Sequence, residues 1–470
     1  MRKEKDSMGE VSVPDDSYYG AQTQRAKENF NISGKSIPIP IIKSLGYIKR
    51  SAAIINNQLY KDRITNSVRD SIVQASDEII DGKLNSHFIV DVFQTGSGTS
   101  SNMNINEVIA NRANEIMGSK IGSKSPVHPN DHVNFGQSSN DVFPTSISIA
   151  VAIETTENLL PALSKLKDSL DSLSQKFAGI IKIGRTHLQD ATPISLGQEF
   201  SGYSSMIQKD ILRLTHSLGD MCYLAQGGTA VGTGINTHKD FGKLMSEELS
   251  KHIGIEFKES QNHFEAQSCQ DSSVEFSGSL KTLAVSLSKI ANDIRLMGSG
   301  PRSGIGELIL PAVQPGSSIM PGKVNPVICE SLIQASAQVI GNDLSITLGG
   351  LGSYFELNLM LPLIGNNLIE SITLLSNGIE MFNDKLLNNL EANKKVCNDY
   401  VEGSLAMCTS LAPVVGYDKA AEVAYKAYKE DKTIREVVLD MELLDSEDVE
   451  KLLDPHSMIK PSETETKTKK

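Results

Sequence analysis

Residues 159–177, LLPALSKLKDSLDSLSQKF, carry the pattern that decides the fold class. Apolar residues recur there at alternating steps of four and three: Leu159, Leu163, Leu166, Leu170, Leu173 and Phe177. Such spacing puts apolar side chains on one stripe of a helix and is typical of helices that pack nearly parallel or antiparallel. A second stretch repeats it: Leu280, Leu283, Leu287, Ile290, Ile294 and Met297. The two stretches predict a bundle of long helices.

The bundle predicts a mainly α protein with three domains. We expect an N-terminal domain of mixed helices and loops over 1–139, a central helix bundle over 140–395, and a small C-terminal helical domain with a disordered tail over 396–470. Apolar periodicity predicts five further helices: Met206–Leu218, Val327–Leu344, Leu357–Phe382, Tyr417–Tyr428 and Thr433–Leu444.

The amino-acid composition limits the binding partners and the cellular compartment expected for the protein. The 45 basic and 57 acidic side chains give a net charge of −12, which argues against nucleic-acid or anionic-membrane partners. The five cysteines are scattered without a Cys-x-x-Cys pair, as expected of free thiols in a reducing compartment. The charged N-terminus does not resemble a secretory signal, and no apolar run is long enough to span a membrane. These features predict a soluble, cytoplasmic protein.

Polar, Gly-rich stretches interrupt the apolar pattern, which bundle packing does not explain. They are 96-GSGTSSNMNINE-107, 128-HPNDHVNFGQSSNDVFPT-145, 184-GRTHLQDATP-193, 227-GGTAVGTGIN-236 and 316-GSSIMPGKVNP-326. In the last of these, Pro315, Pro321 and Pro326 prevent a helix, so it is predicted to be a loop. Such stretches supply the small hydroxyl and amide groups that a polar pocket needs.

The side chains in these stretches favour a carboxylate ligand. The glycines around Ser97 lack the spacing and the lysine of a nucleotide-binding loop. His128, Asp131 and His132 lie close together without a second matching pair, which favours a polar loop or anion contact over a metal site. Hydroxyls, amides and single cations suit a substrate with carboxylates, and donors to a carboxylate stabilise the charge that builds up when a neighbouring C–H bond breaks. A base and an acid on opposite faces would complete an elimination.

The stretch 316-GSSIMPGKVNP-326 resembles the signature loop of the fumarase/aspartase superfamily, and the other polar stretches resemble its remaining motifs in the same order. The resemblance runs from 13-VPDDSYYGAQTQRAKENF-30 to 452-LLDPHSM-458 and is strongest to the class II fumarases, the iron-independent type. It implies a three-domain, mainly helical fold with a central five-helix domain. It also implies a homotetramer with a shared helical core, active sites built from three subunits, and neither metal nor cofactor.

The resemblance implies roles residue by residue. Ser317 corresponds to the base that removes the C3 proton of malate, His187 to the histidine on the water side, and Glu330 to the glutamate that pairs with that histidine. The implied substrate-binding residues are Ser97, Gly98, Thr99, Ser138, Ser139, Asn140, Thr186, Ser318, Lys323, Val324 and Asn325. A secondary anion site is implied at His128, Pro129, Asn130 and Asp131.

The implied reaction is the reversible hydration of fumarate to (S)-malate in the tricarboxylic acid cycle, by anti addition of water through an aci-carboxylate intermediate. The alternatives are an aspartate ammonia-lyase and a non-catalytic structural protein with a lyase fold. Four residues resemble fumarases more than aspartases: Asp131, His187, Thr192 and Gly322. Two departures, Phe135–Gly136 and Val327, resemble aspartases. The sequence keeps Ser317, Lys323 and His187, which argues against the structural protein.

Overall fold

A computed structural model describes residues 1–461, and this part of the chain is mainly helical. The predicted disordered tail lies almost wholly outside the described residues. The α-helices of the described part, α1 to α18 in chain order, are Ala21–Asn29, Ile39–Leu59, Asn66–Ile80, Thr99–Ile116, Ser139–Glu154, Leu160–Lys176, Leu196–Met221, Phe241–Ile253, His263–Ser268, Asp271–Met297, Val327–Gly350, Leu361–Lys385, Lys394–Gly403, Ala412–Val415, Tyr417–Glu430, Ile434–Asp440, Ser446–Leu452 and Pro455–Met458.

Short strands form two-stranded sheets between the helices. In chain order, β1 to β10 of the described part are Arg2–Asp6, Gly9–Val13, Ile181–Thr186, Gln189–Ser195, Tyr223–Leu224, Lys258–Glu259, Leu308–Ile309, Ser353–Tyr354, Leu357–Asn358 and Glu391–Ala392. The pair β5–β6 is parallel, whereas β1–β2, β3–β4, β7–β10 and β8–β9 are antiparallel. Single turns of π-helix lie at Pro129–Val133 and Thr155–Leu159.

The two periodic apolar stretches form long helices, as predicted. Helix α6 has 17 residues and α10 has 27, and the apolar residues that defined both stretches are buried. Helices α7 and α11 have 26 and 24 residues and extend beyond the predicted segments. Helix α12 has 25 residues and begins later than predicted, because residues 357–358 form strand β9. Because each helix keeps an apolar stripe, its burial against neighbours stabilises it more than intrinsic propensity does.

Contacts divide the chain into two compact units. The first contains Met1–Pro161, Asp210–Val285 and Ala335–Asn377, and the described part of the second contains Ala162–Lys209, Ser286–Gln334 and residues 378–461. The long helices α6, α7, α10, α11 and α12 each contribute residues to both units. The three-domain boundaries expected from the sequence stay a prediction.

The first unit has a core of helices that supports the N-terminal ends of α4 and α5. Ile41, Leu45 and Ile48 of α2 are fully or almost fully buried, as are Ile72 of α3 and Ile109 of α4. Helix α2 packs against both α3 and α5. This packing holds the first turns of α4 and α5 at fixed positions.

The second unit packs the β3–β4 hairpin against the C-terminal helices. Ile181 and Ile183 of β3 share a buried apolar cluster with Val401, Met407 and Val423. The register pairs Ile181 with Ser195 at the base and Thr186 with Gln189 at the tip. The hairpin therefore presents its two-residue turn, His187–Leu188, at the end away from this core.

Within residues 1–461, no helix combines the length and apolar character needed to cross a membrane. All five cysteines are free thiols. The cytoplasmic location inferred from the sequence stays a prediction.

Candidate active site

A cavity of about 360 Å³ in the first unit lies at the N-terminal ends of α4 and α5. Thr99 and Asn102 of α4 line it, together with Ser138, the N-cap residue of α5, and Ser139 in its first turn. The backbone N–H groups in a first helical turn have no intrahelical acceptor and carry partial positive charge. The cavity is therefore suited to an anion.

A chain of side-chain hydrogen bonds joins the two helix ends. The hydroxyls of Ser97 and Thr99 are 2.8 Å apart, and those of Thr99 and Ser139 are 2.7 Å apart. Asn140 donates its side-chain amide to the carbonyl of Ala230 at 2.8 Å. Four of the predicted substrate-binding residues thus come together in one place within the first unit.

Gly98 makes the close approach of these helices possible. It caps α4 in the left-handed region at φ 72°, and a Cβ atom there would lie 2.2 Å from Cδ2 of Phe143 in α5. Glycine enters this conformation without steric cost, and it leaves space for the aromatic ring. The left-handed backbone and the nearby Phe143 ring therefore both favour glycine at position 98.

Asp141 anchors the other helix end. Its Oδ1 accepts the backbone N–H of Ser138 in a capping box. Its Oδ2 accepts the backbone N–H groups of Gly227 and Thr229, each at 3.0 Å. Burial raises the pKa of this carboxyl, and the N–H bonds oppose that effect. Asp141 thereby fastens the Gly-rich stretch 227–236 to the cavity.

The predicted secondary anion site forms a compact turn in the first unit. The His128 Nδ1 atom accepts the backbone N–H groups of Asn130 and Asp131, both at 3.2 Å, while Pro129 is buried. The side chain of His132 accepts the backbone N–H of His128, and burial lowers the pKa of His132. Among residues 1–461, no cluster of at least three histidine, cysteine or acidic side chains is arranged to hold a metal ion. The anion-binding role stays a prediction.

In the second unit, His187 occupies the tip of the β3–β4 hairpin. His187 and Leu188 have φ values of 57° and 59°, which a type I′ turn requires. Both residues and Thr186 are exposed, and Leu188 has 73% of its surface accessible. Arg185, one position before Thr186, donates to both carboxylate oxygens of the fully buried Glu307 at 2.9 Å. This ion pair fixes the end of strand β3, directly before the turn that contains His187.

The signature loop, residues 316–326, lies outside regular secondary structure, as predicted. The backbone N–H of Gly316 donates to the carbonyl of Lys323 at 2.8 Å, and a Cβ at position 316 would lie 2.4 Å from that oxygen. The side chain of Asn325 donates to the carbonyl of Gly316 at 2.6 Å. These two bonds close the loop upon itself.

Ser317 lies inside this closed loop. Its hydroxyl oxygen accepts the backbone N–H groups of Ile319 at 3.2 Å and Met320 at 3.0 Å. Ser318, Lys323 and Val324 are exposed. Two donated N–H bonds stabilise negative charge on the Ser317 oxygen.

Sequence and structural comparisons identify the family. The sequence matches the family described as Lyase over residues 9–341 and the Fumarase C C-terminus over residues 407–460. A class II fumarate hydratase of Neisseria meningitidis is 48% identical over 460 residues, which are 98% of this chain and 99% of the relative. A mitochondrial fumarate hydratase of Danio rerio is 49% identical over 463 residues, 98% of this chain and 90% of the relative. The chain belongs to the class II fumarate hydratase family.

Structural similarity supports the same assignment. The crystal structure of a class II fumarase from Schistosoma mansoni superimposes with a TM-score of 0.94 at 40% identity. The alignment covers 97% of this chain and 98% of that structure. The mainly helical, fumarase/aspartase-like fold expected from the signature loop is thereby confirmed.

Two of the polar stretches that interrupt the apolar pattern adopt regular secondary structure. The stretch 96–107 is mostly the start of α4, and the stretch 184–193 forms most of the β3–β4 hairpin. Asn104 and Asn114 of α4 are buried and bond the carbonyls of His87 and Val127. Tertiary partners thus satisfy amides that would otherwise favour turns.

The predicted site residues fall into two sets, one in each unit. The loop groups at Ser97–Thr99 and Ser138–Asn140 belong to the first unit, whereas Thr186, His187 and the 316–330 segment belong to the second. Within the described second unit, no hydrogen bond or ion pair joins His187 to Glu330. The pairing of these two side chains stays a prediction.

Sequence reasoning missed several residues of the cavity wall. Asn134, Gln137 and Asn236 line the cavity, and none of them was assigned a role. All three lie in the polar, Gly-rich stretches of the sequence, so their position there was the available signal. A further missed residue is Lys49, which is buried behind this wall and had no sequence signal, because a helical lysine is usually exposed.

Proposed function

We propose that the chain catalyses the reversible hydration of fumarate to (S)-malate by anti addition of water through an aci-carboxylate intermediate. The observation that carries this proposal is the junction of two helix N-termini through the 2.7 Å contact between the Thr99 and Ser139 hydroxyls. Two converging sets of N–H and hydroxyl donors match a substrate carboxylate and favour its charged form.

Ser317 is the proposed base in the malate-to-fumarate direction. A serine hydroxyl is a weak base, so it acts only where the surroundings stabilise its anion. The N–H groups of Ile319 and Met320, which already point at the oxygen, supply part of that stabilisation. Lys323, in the same loop, is the proposed source of positive charge for the carboxylate that receives the electrons.

The elimination of water from malate then proceeds in two steps. Ser317 takes the proton from C3, and the electron pair of that C–H bond moves into the adjacent carboxylate to give the aci-carboxylate. The pair returns to form the C2–C3 double bond as the C2–O bond breaks, and the hydroxide leaves as water with a proton from the side of His187. Glu330 is the proposed partner of His187. The reverse order adds water to fumarate.

The remaining predicted ligands hold the carboxylates. Thr186 and Ser318 are exposed and free to donate to a ligand, and Val324 offers its backbone in the same loop. Asn325 already uses one side-chain N–H for the carbonyl of Gly316, so its second N–H is the one for substrate. Ser97, Thr99, Ser138, Ser139 and Asn140 supply the donors of the first unit.

We also propose a homotetramer whose active sites are shared by three subunits. Support comes from a stripe of exposed apolar residues along one face of α11, Ile340 at 40%, Leu344 at 62% and Leu348 at 54% exposure, which Leu351, at 74%, continues just past the end of the helix. A contiguous exposed apolar stripe is typical of an interaction surface. The exposure of His187 on its hairpin tip also suits a residue completed by another subunit.

The subunit proposal is tested by placing a charge in that stripe. We expect Leu344→Glu to dissociate the tetramer and to abolish hydration, because the carboxylate is costly to bury. Light scattering after gel filtration gives the mass, and Tyr425→Glu, at a residue 82% exposed on α15, is the matched control. An active tetramer in Leu344→Glu would contradict the proposed interface.

The activity is tested by the ultraviolet absorbance of fumarate. Purified protein is mixed separately with malate and with aspartate, and we expect absorbance to rise with malate only. A rise with aspartate alone would assign an aspartate ammonia-lyase instead. No change with either would leave the non-catalytic structural protein as the better account.

A further inference from the structure

Lys49 on α2 is a buried cation that the proposed reaction does not yet use. Its relative exposure is 0%, and it is one of the largest fully buried side chains of the described residues. Its ammonium group donates to Oδ1 of Asn134 at 2.9 Å and to Oε1 of Gln137 at 3.1 Å. A buried charge is costly unless it is paired, and both partners here are neutral amides. The burial of Lys49 at this cost points to a role for its positive charge in the site.

Lys49 fixes the orientation of two amides in the cavity wall. An ammonium group only donates, so the amide oxygens of Asn134 and Gln137 must face it. The Asn134 oxygen also accepts from the side chains of Asn102 at 3.2 Å and Asn106 at 3.1 Å. Its amide nitrogen donates to the carbonyl of Gln137 at 3.1 Å. The wall of the cavity is therefore organised around one lysine.

The charge of Lys49 is also incompletely compensated. Asp141 on α5 is the charged side chain of the described residues that acts on it, and that carboxylate already accepts backbone N–H groups from Ser138, Gly227 and Thr229. The side chains that accept from its ammonium group, Asn134 and Gln137, are neutral amides. Burial lowers the pKa of Lys49 to about 7, so the charged form is less stable than in water.

We propose that Lys49 is a positioning residue for a doubly charged substrate. It orients Asn134 and Gln137 in the cavity wall, and its buried charge favours a dianion over a monoanion of the same shape. The inference deepens the proposed function, because it rests on a dicarboxylate occupying this cavity. Lys49 lies one layer behind the wall and acts through the two amides.

Lys49→Met tests the role of the charge, because methionine is apolar and nearly as long. The ligands are succinate, an unreactive dianion, and its monomethyl ester, a monoanion. We expect Lys49→Met to weaken inhibition by succinate about tenfold or more, and by the monoester less than about threefold, since a buried hydrogen-bonded charge has a large effect. Binding is measured as competitive inhibition of malate turnover.

Arg50→Met is the matched control. It removes the same charge from the next position of α2, where the side chain bonds Asp77 and approaches Glu248 instead of the cavity wall. We expect inhibition by both ligands to stay within about twofold of the parent protein. Equal losses for the two ligands in Lys49→Met, or the same selectivity loss in Arg50→Met, would overturn the inference.

A measurement on the unaltered protein covers the case in which Lys49→Met does not fold. A dianion stabilises the protonated lysine, so succinate binding should take up protons as the pH rises through about 7, and its affinity should fall above that pH. Calorimetry in two buffers of different ionisation enthalpy counts these protons. Equal proton uptake with succinate and the monoester would overturn the inference. Lack of turnover of malate and fumarate by the unaltered protein would instead overturn the proposed function.

Discussion

The first unit holds its candidate ligands at buried helix ends, whereas the second holds its candidate proton-transfer groups on a loop and a hairpin tip. Ser97 is 4% exposed and belongs to a chain of hydroxyl contacts anchored by two helices. Ser317 lies in a loop closed chiefly by two bonds, and His187 is exposed. The helix ends of the first unit are thus preorganised for carboxylate binding, whereas the loop and the hairpin tip of the second unit are held by fewer contacts.

This difference indicates that the two regions have separate roles, carboxylate binding in the first unit and substrate entry and product release in the second. Preorganised donors stabilise charge without reorganisation at the moment of reaction, which suits the carboxylate site. A loop with few buried contacts opens at low free energy, which suits a segment that must admit substrate and release product. Substitution of the proposed proton-transfer residues Ser317 and His187 should therefore chiefly reduce kcat, whereas substitutions that disturb the helix ends of the first unit should chiefly raise KM.

The largest expected effect is that of Ser317→Ala. We expect kcat for malate to fall about 100-fold or more with a modest change in KM, because a general base contributes on that scale. Steady-state kinetics and the tetramer mass are measured together. Near-full activity in an intact tetramer would show that Ser317 is not the base.

His187→Asn should have a smaller effect. Asparagine accepts the left-handed backbone that His187 adopts at φ 57°, so the hairpin turn should survive while the imidazole is lost. We expect kcat to fall by about tenfold, less than for Ser317→Ala, because solvent water can partly replace the lost group. A larger loss than that of Ser317→Ala would reverse the order of the two residues.

Gly98→Ala should act on the first unit and have the smallest effect on kcat. The new methyl would clash with Phe143 in a left-handed backbone, so we expect a loss of roughly 2–4 kcal/mol in unfolding free energy together with a higher KM. Gly34→Ala is the control, because Gly34 has φ 71° and no atom within 4 Å of the new methyl. Equal destabilisation by the two substitutions would show that the contact with Phe143 is unimportant.

The sequence predicts the helix bundle and the signature loop because each depends on local signals. Apolar periodicity is enough for α6 and α10, and prolines are enough to prevent a helix at 316–326. The start of α4 could not be predicted this way, since buried partners override the turn preference of Ser and Asn. The His187–Leu188 turn lacks the Asn-Gly pair that usually marks such hairpins. Lys49 is recognisable only once its neighbours are known.

Amide hydrogen exchange, with and without succinate, tests the contrast between the two regions most directly. We expect the first turns of α4 and α5 to exchange slowly in both states. Amides of residues 316–326 should exchange quickly without ligand and about tenfold or more slowly with it. Equal protection of the loop and of α4 in the unliganded protein would contradict the account.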